Sequence, residues 1–205
     1  MNVEAAISTG VRVMGAEERP DPVAEVLPDD RQLVAAARAD PQAFALLYRR
    51  YVHDLYHYLY HRVGNQQVAE DLTASTFGKA LAGIGRYHEQ GSFPAWLFSI
   101  ARHTLLDYQR QLHPSVDVAA VAGALADPAA SPESQLLRAE EARVLRDLVH
   151  QLPADQQEAV MLRYFGGLAT ADIAVLLHRR EGAVRALLHR AITALREAYR
   201  REVSE

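Results

Sequence analysis

The chain has 205 residues, 49% of them hydrophobic, and a formal net charge of −4. This length suits one large domain or two small ones, and no apolar run approaches the roughly 18–20 residues that span a bilayer. The chain has no cysteine, which excludes disulfides, thiolate catalysis and cysteine zinc sites and fits a reducing cytoplasm.

Residues 1–28 are acidic, contain proline and valine, and show no helical period. They also lack a charged region followed by an apolar one, so we expect no signal peptide. We expect a mostly disordered extension; a regulatory pro-segment is the alternative.

Residues 29–112 carry apolar side chains at helical spacing, and no segment alternates with period two. The pattern predicts four helices and no sheet. Capping residues place the helix starts at Asp29 or Asp30, Asp40, Asn65 and Pro94, and the stops at Gly64 and Gly85.

The fourth helix has two different sides. A core stripe is predicted for Leu97, Ala101, Thr104, Leu105 and Tyr108, and a basic, hydrogen-bonding stripe for Ser99, Arg102, His103, Leu106 and Arg110. Rings and charges precede it at Arg86, Tyr87, His88, Phe93 and Trp96. Rings beside cations indicate a surface for single-stranded nucleic acid, although Trp96 fits a core or hinge position equally well.

Three histidines, His53, His57 and His61, are spaced four residues apart on the second helix. This spacing can place metal ligands on one helix face, as in a zinc or nickel site. No acidic or cysteine cluster accompanies them, so the preferred interpretation is an exposed polar stripe, with no metal bound.

Residues 113–135 are rich in proline, alanine, serine and acidic residues, which predicts a flexible linker between two domains. The second domain, 136–205, is predicted to be a set of short helices. Ser134 or a neighbour caps the first, Asp155 starts the next, and Thr170 caps a helix to His178.

The last predicted helix, 182–200, has an apolar face and, on its opposite side, a basic face. Its neighbourhood, 179–201, holds seven arginines against two glutamates, a net charge of +5. Two short helices joined by a tight turn, the second one basic, are typical of a helix-turn-helix that enters the major groove. The alternative is a plain helical bundle with solvated arginines.

Four consecutive motifs resemble those of bacterial sigma factors of the sigma-70 family, in the compact two-domain extracytoplasmic-function (ECF) class. AEDLTASTFGKAL (69–81) is similar to the polymerase-binding segment of that class, and FPAWLFSIARHTLLDYQRQ (93–111) to its promoter-melting helix. LPADQQEAVMLRYFGGLATADIA (152–174) and EGAVRALLHRAITALR (181–196) are similar to the motifs of its second domain.

The resemblance implies that the first domain, 29–112, is an all-α sigma region 2 domain that binds core RNA polymerase and opens the minus-10 promoter element. Core-polymerase binding is implied for Asp71, Leu72 and Phe77. Contact with the minus-10 strand is implied for Arg86, Tyr87, His88, Phe93, Ser99, Arg102, His103 and Arg110.

The same resemblance implies that residues 136–205 form a sigma region 4 domain that reads the minus-35 element. Arg185, His189 and Arg190 are expected to face the bases, with Ala186 on the same face. Arg179, Arg180 and Arg196 are expected to meet phosphates, which add affinity without sequence information.

The sequence departs from the family pattern at four places. Ala74-Ser75 replaces a Gln-Glu pair, and His103 replaces an asparagine. His178-Arg179-Arg180 replaces the usual Gly-Ile-Ser of the turn, which removes a left-handed glycine and a capping serine. Leu187 replaces an arginine, so the recognition helix has one basic group fewer.

Two other functions compete with the promoter-specificity factor. One is an autonomous helix-turn-helix regulator whose N-terminal domain senses a ligand or metal; the other is an enzyme, which lacks any recognisable catalytic motif here. We expect no cofactor and a cytoplasmic location. The class also implies an anti-sigma protein as partner.

Overall fold

A computed structural model describes residues 29–88, 91–112 and 144–204, with side chains to residue 202. Within these ranges every regular element is helical and none is a strand, which confirms the all-α fold. The predicted extension (1–28) and the predicted linker (113–135) lie outside the described residues. None of the described helices is both long and apolar enough to cross a membrane.

The first domain contains four α-helices with short 3₁₀ turns between them. Their bounds are α1 Asp30–Ala39, α2 Phe44–Val63, α3 Gln66–Gly83 and α4 Phe93–Leu112, with 3₁₀ turns at Pro41–Ala43 and Ile84–Arg86. Helix α3 packs against both α2 and α4, and α1 covers α2. Helix α3 ends at Gly83, two residues before the predicted stop at Gly85.

Local side-chain chemistry explains where these helices begin and end. Asp29 and Gln32 form a reciprocal capping box at the start of α1. The side chain of Asn65 accepts a hydrogen bond from the N–H of Val68 at the start of α3. Gly64 ends α2 in the left-handed conformation, with φ of 65°, which glycine adopts without steric cost.

The second domain begins, as far as it is described, with helical residues 144–150, which we call α5. It continues with α6 Ala154–Val160, a π-helical turn Met161–Phe165, α7 Thr170–Leu176 and α8 Glu181–Ser204. The prediction that Thr170 caps α7 is wrong, because Thr170 is the first helical residue and the N-cap position is Ala169, whose side chain makes no capping bond.

The two domains pack directly against each other. Helix α2 contacts the π-helical turn, and α4 contacts α7. Buried apolar residues of the two domains form one continuous cluster that includes Leu55, Leu97 and Phe98 from the first domain and Met161, Leu162 and Leu168 from the second. This interface was not predicted, because it joins segments about 100 residues apart in sequence.

Candidate nucleic-acid interface

The predicted two-sided character of α4 is confirmed. Leu97, Ala101, Thr104 and Leu105 are buried, and Tyr108 is half-buried against the core. On the other side, which we call the α4 basic face (Ser99, Arg102, His103, Arg110), His103 and Arg110 are exposed. Arg110 lies 3.5 Å from Asp107, and its side chain is 76% exposed, so an exposed pair of this kind leaves its guanidinium accessible to a phosphate.

The rings that precede α4 form a packed cluster. Tyr87 is 6% exposed and Phe93 is 2% exposed. Both rings lie within 6 Å of Trp96, at centroid distances of 4.9 and 5.7 Å, and Phe93 also contacts Tyr51 at 5.5 Å. In this conformation the buried rings of Tyr87 and Phe93 support the loop before α4 from its inner side. Contact of either ring with a DNA base remains a prediction. Arg86 and His88 are exposed at its surface.

Arg38 of α1 binds the backbone of the loop between α3 and α4. Its Nε donates a hydrogen bond to the carbonyl oxygen of Ile84 at 3.3 Å, and a terminal nitrogen donates to the carbonyl oxygen of Tyr87. The guanidinium carbon also lies 5.9 Å from the Tyr87 ring centroid. Arg38 was missed from the sequence, because nothing in a helical period shows that its side chain reaches carbonyls nearly 50 residues away.

The residues matched to polymerase binding divide into one exposed and two buried positions. Asp71 is exposed on α3, where Gln67 donates a long hydrogen bond to it at 3.4 Å. Leu72 and Phe77 are 7% and 4% exposed, and the Phe77 ring packs 4.7 Å from that of Tyr48. Asp71 is thus presented to solvent, whereas Leu72 and Phe77 fix the orientation of α3.

Helices α7 and α8 pack against each other as a helix-turn-helix. Val184, Leu187, Ala191 and Leu195 of α8 are buried, whereas Arg185, His189 and Arg190 are exposed. We call this exposed set, with half-buried Ala186, the α8 basic face. Leu187, which replaces an arginine of the family pattern, is 6% exposed and therefore packs inward.

Two arginines at or near the α8 basic face form salt bridges with carboxylates. Arg185 pairs with Glu181 at 2.6 Å, one helical turn earlier, and Arg179 pairs with Asp155 of α6. Both pairs are largely exposed, so each is weak enough for a DNA phosphate or base to replace the carboxylate. Arg180 is exposed and Arg196 half-buried.

The turn between α7 and α8 contains a strained residue. His178 has φ of 52°, and within the described residues it is the only non-glycine position with positive φ. In the family pattern a glycine stands at this position. A side chain in this conformation brings Cβ close to its own carbonyl oxygen, so the turn carries a local cost that glycine would avoid.

Of the histidine stripe of α2, His53 is exposed as predicted, but the other two histidines are buried. His57 and His61 are 9% and 2% exposed, because the second domain covers this side of α2. The Nε2 atoms of His53 and His57 lie 3.0 Å apart, and the His61 ring packs 4.1 Å from that of Phe165. In the part of the chain that the structure describes, no group of three or more His, Cys, Asp or Glu residues is arranged to hold a metal ion.

One buried carboxylate of the second domain joins three side chains of the first. Glu158 of α6 accepts hydrogen bonds from the Tyr58 hydroxyl at 2.9 Å and from Arg62 at 2.8 Å. Its other contact is with Arg102 of the α4 basic face, whose Nε lies 3.1 Å away. Burial, reinforced by the Glu158 carboxylate, raises the pKa of Tyr58 far above its usual value, so this hydroxyl remains a hydrogen-bond donor.

Sequence reasoning missed Arg62 and Glu158. The only signal at Glu158 is a carboxylate directly before the apolar run 159–162, and a glutamate more often points to solvent. A second polar bridge lies at the start of α4, where the Ser92 hydroxyl accepts from the N–H of Ala95 at 3.2 Å and donates to Asp172 of α7.

Comparison with protein-family models gives two matches, in the order of the two domains. Residues 47–113 match Sigma-70 region 2, and residues 142–195 match Sigma-70, region 4. The ECF RNA polymerase sigma factor BldN of Streptomyces coelicolor is 38% identical over 169 residues, which are 80% of this chain and 63% of that protein. The RNA polymerase sigma-H factor of Pseudomonas aeruginosa is 33% identical over 180 residues, 82% of this chain and 93% of that protein.

Two solved structures share the fold. One is CnrH in complex with the cytosolic domain of CnrY, with a TM-score of 0.61 and 21% identity, covering 82% of this chain and 95% of that one. The other is the sigma factor RpoE of Bartonella quintana in complex with the anti-sigma factor NepR, with a TM-score of 0.60 and 23% identity, covering 78% and 98%. At these identities the likeness concerns the fold alone.

Proposed function

Because this chain belongs to the sigma-70 family of bacterial RNA polymerase sigma factors, in its ECF class, we propose that it binds core RNA polymerase and directs it to specific promoters. The first domain, 29–112, melts the minus-10 element, and the second, 136–205, reads the minus-35 element. The linker 113–135 joins them. The observation that carries this proposal is that each matched region presents a separate exposed arginine face, one on α4 and one on α8.

The first domain has the chemistry for holding an opened strand. Taking a base out of the stack costs a few kcal/mol, which contacts to the α4 basic face must offset. Arg102, His103 and Arg110 offer cations and N–H donors along this face, and Arg86 and His88 extend it into the preceding loop. Tyr87 and Phe93 shape that loop from within, as part of the proposed minus-10 site.

The second domain has the geometry for reading a closed groove. The buried face of α8 packs on α6 and α7, so Arg185, His189 and Arg190 project away from the domain core. A bidentate arginine–guanine pair gives about 1–3 kcal/mol of discrimination. Arg179, Arg180 and Arg196 flank this face and contribute phosphate contacts.

Polymerase binding is proposed for the exposed side of α3. Of the three residues matched to polymerase binding, Asp71 is the exposed one, and Leu72 and Phe77 hold the helix in place. We therefore expect Asp71→Asn to weaken binding to core polymerase. Glu197→Gln, an exposed carboxylate at the far end of the chain, is the matched control.

Sigma factors act as initiation factors, and we propose that this chain has no catalytic activity of its own and works in the cytoplasm, where polymerase and chromosome are. An anti-sigma protein is a proposed partner, and RpoE of Bartonella quintana is bound to such a partner in its solved complex. The autonomous regulator with a metal-sensing domain lacks support, because the relatives are sigma factors and His57 and His61 are buried, the latter against Phe165 of the second domain.

Run-off transcription with core polymerase and mapped start sites tests the proposal. We expect start-site-specific transcripts on a subset of genomic fragments, and only when the factor is present. Gel shifts with and without core polymerase separate it from the autonomous regulator, which would bind duplex promoter DNA alone. A complete lack of specific transcripts would refute the proposed function.

A further inference from the structure

The contact between Glu158 and the first domain has the form of an occupied anion site. Two guanidinium groups, from Arg62 of α2 and Arg102 of α4, converge on one carboxylate at 2.8 and 3.1 Å. The Tyr58 hydroxyl donates to the same carboxylate at 2.9 Å. Arginine pairs with a hydroxyl donor are equally suited to a phosphate group, which offers oxygen acceptors and negative charge in a similar arrangement.

The site lies next to the proposed path of the melted strand. Arg102 belongs to the α4 basic face, and its side chain is 37% exposed even while it is paired. Arg62 is 22% exposed and Glu158 is 10% exposed, so the second domain covers the site and the carboxylate fills it. A strand running along α4 cannot use Arg102 fully while Glu158 remains in place.

The packed arrangement of the domains does not fit a chain bound to both promoter elements. Elements named for positions 10 and 35 lie about 25 base pairs apart, or roughly 85 Å along the duplex at about 3.4 Å per base pair. A compact chain of about 175 residues has a radius of gyration of roughly 16 Å, so the packed form is too small to span them. The residues between 112 and 144 can reach about 100 Å when extended, so the chain permits the domains to separate.

Resting on the proposed function, we propose that Arg62 and Arg102, with the Tyr58 hydroxyl, form a phosphate-binding site for the melted promoter strand, and that Glu158 occupies this site while the two domains are packed together. Separation of the domains exchanges the internal carboxylate for a DNA phosphate. Arg62 thereby joins the DNA-binding surface, and Glu158 couples the position of the second domain to strand binding by the first.

Another polar contact across the interface is made at the start of α4, away from Glu158. Ser92 caps that helix and donates to Asp172 of α7. When the second domain moves away, Ser92 keeps its capping bond to Ala95, because both residues belong to the first domain. The helix that carries Arg102 therefore retains its N-terminal cap in the separated form.

Binding of a fluorescein-labelled oligothymidine of about 12 nucleotides, within the usual site size for single strands, tests the proposal with the full chain and no polymerase. Glu158→Gln keeps the size of the side chain but removes its charge. We expect it to bind the oligonucleotide at least fivefold more tightly than the unmodified chain. Glu197→Gln makes the same charge change on exposed α8 and is expected to leave the affinity within twofold.

Arg62→Gln added to Glu158→Gln identifies the site itself. The double variant is expected to lose most of the gained affinity, and the slope of log K against log salt is expected to decrease by about 0.7, the value for one phosphate contact in a single strand. Equal binding by Glu158→Gln and Glu197→Gln would overturn the proposal. So would a double variant that keeps the full gain.

If Glu158→Gln fails to fold, as judged by circular dichroism, Asp172→Asn loosens the same interface at its contact with Ser92. The same comparison is then made with and without Arg62→Gln, and the same loss is expected. Run-off transcription by the unmodified chain reports separately on the proposed function. Promoter-specific transcripts with an unchanged oligonucleotide affinity of Glu158→Gln would refute the phosphate site alone.

Discussion

The imidazole of His61 packs against the ring of Phe165 across the domain interface, with ring centroids 4.1 Å apart. His61 is 2% exposed, and its Nε2 has no hydrogen-bond partner among the described residues. Burial, together with nearby His57, Arg146 and His150, lowers the pKa of His61 from 6.5 to about 3. The packed domains therefore hold this histidine in its neutral form.

Stability should consequently fall as the pH falls below 6.5. The unfolded chain binds a proton at His61 near pH 6.5, whereas the folded chain does so only near pH 3. The free energy of unfolding therefore decreases as the pH falls from 6.5 toward 3, and it stops decreasing near pH 3. Between pH 7.5 and 5.5 the expected loss from this group is about 1.4 kcal/mol. Denaturant unfolding at both pH values measures it.

His61→Leu removes the titrating group and should flatten the pH dependence by about that amount. His189→Leu, which replaces an exposed histidine of α8, serves as the control, and the flattening should be larger in His61→Leu than in His189→Leu. The other titrating groups are common to both variants and the parent chain. An identical pH dependence in His61→Leu and the parent would show that His61 is not held neutral.

The left-handed turn between α7 and α8 gives a second prediction. His178 is exposed and has φ of 52°, a conformation that costs an L-residue roughly 1–2 kcal/mol. Glycine avoids this cost but loses more entropy on folding, so His178→Gly should stabilise the chain by about 1 kcal/mol. His178→Ala keeps a Cβ and should give no such gain; a gain equal to that of glycine would exclude strain as the cause.

These two residues show what the sequence reveals and what it hides. The missing glycine at His178 is visible from the motif alone, and the caps at Asp29, Asn65 and Gly64 are visible because each depends on neighbours within a few residues. The burial of His61 is not visible, because it depends on a segment about 100 residues away. The stripe looks polar and exposed until the second domain is placed against it.

In the candidate site, too, local patterns were predictable from the sequence and long-range contacts were not. Helical periodicity predicted which side of α4 carries Arg102 and Arg110, and which side of α8 carries Arg185 and Arg190. It could not show that Arg102 pairs with Glu158, because a period describes a face and not what covers it. The π-helical turn at Met161–Phe165 also escaped prediction, since its extra residue per turn has no signature in the apolar pattern.

The α8 basic face gives a prediction for promoter recognition. Arg185→Ala removes an exposed guanidinium and should weaken transcription from promoters that have a minus-35 element about tenfold or more, in line with the loss of a bidentate base contact. Binding of core polymerase should be unchanged, because that role is proposed for α3.

The control is Arg31→Ala, which removes an exposed arginine of α1 and so makes the same charge change away from both basic faces. Equal losses of transcription and polymerase binding in Arg185→Ala would contradict this division of roles.

Gly166 follows the π-helical turn and lies close to Phe98 of the first domain. A Cβ at this position would lie 2.7 Å from Cε1 of Phe98 in the first domain and 2.9 Å from the carbonyl oxygen of Leu162 in its own domain. The second atom belongs to the backbone and cannot move aside, so Gly166→Ala should destabilise the chain by about 1–3 kcal/mol, as overpacking does.

The matched variant is Gly182→Ala, in the first turn of α8, where a Cβ would meet nothing within 4 Å. Alanine is the better helix former, so this variant should be as stable as the parent or more so. The clash with Phe98 lies across the interface, and separation of the domains relieves it. Gly166→Ala should therefore also enlarge the radius of gyration measured by X-ray scattering, whereas Gly182→Ala should not. If Gly166→Ala were as stable and as compact as Gly182→Ala, the close packing of Gly166 on Phe98 and Leu162 would be wrong, because no rearrangement of the Phe98 side chain alone relieves both contacts.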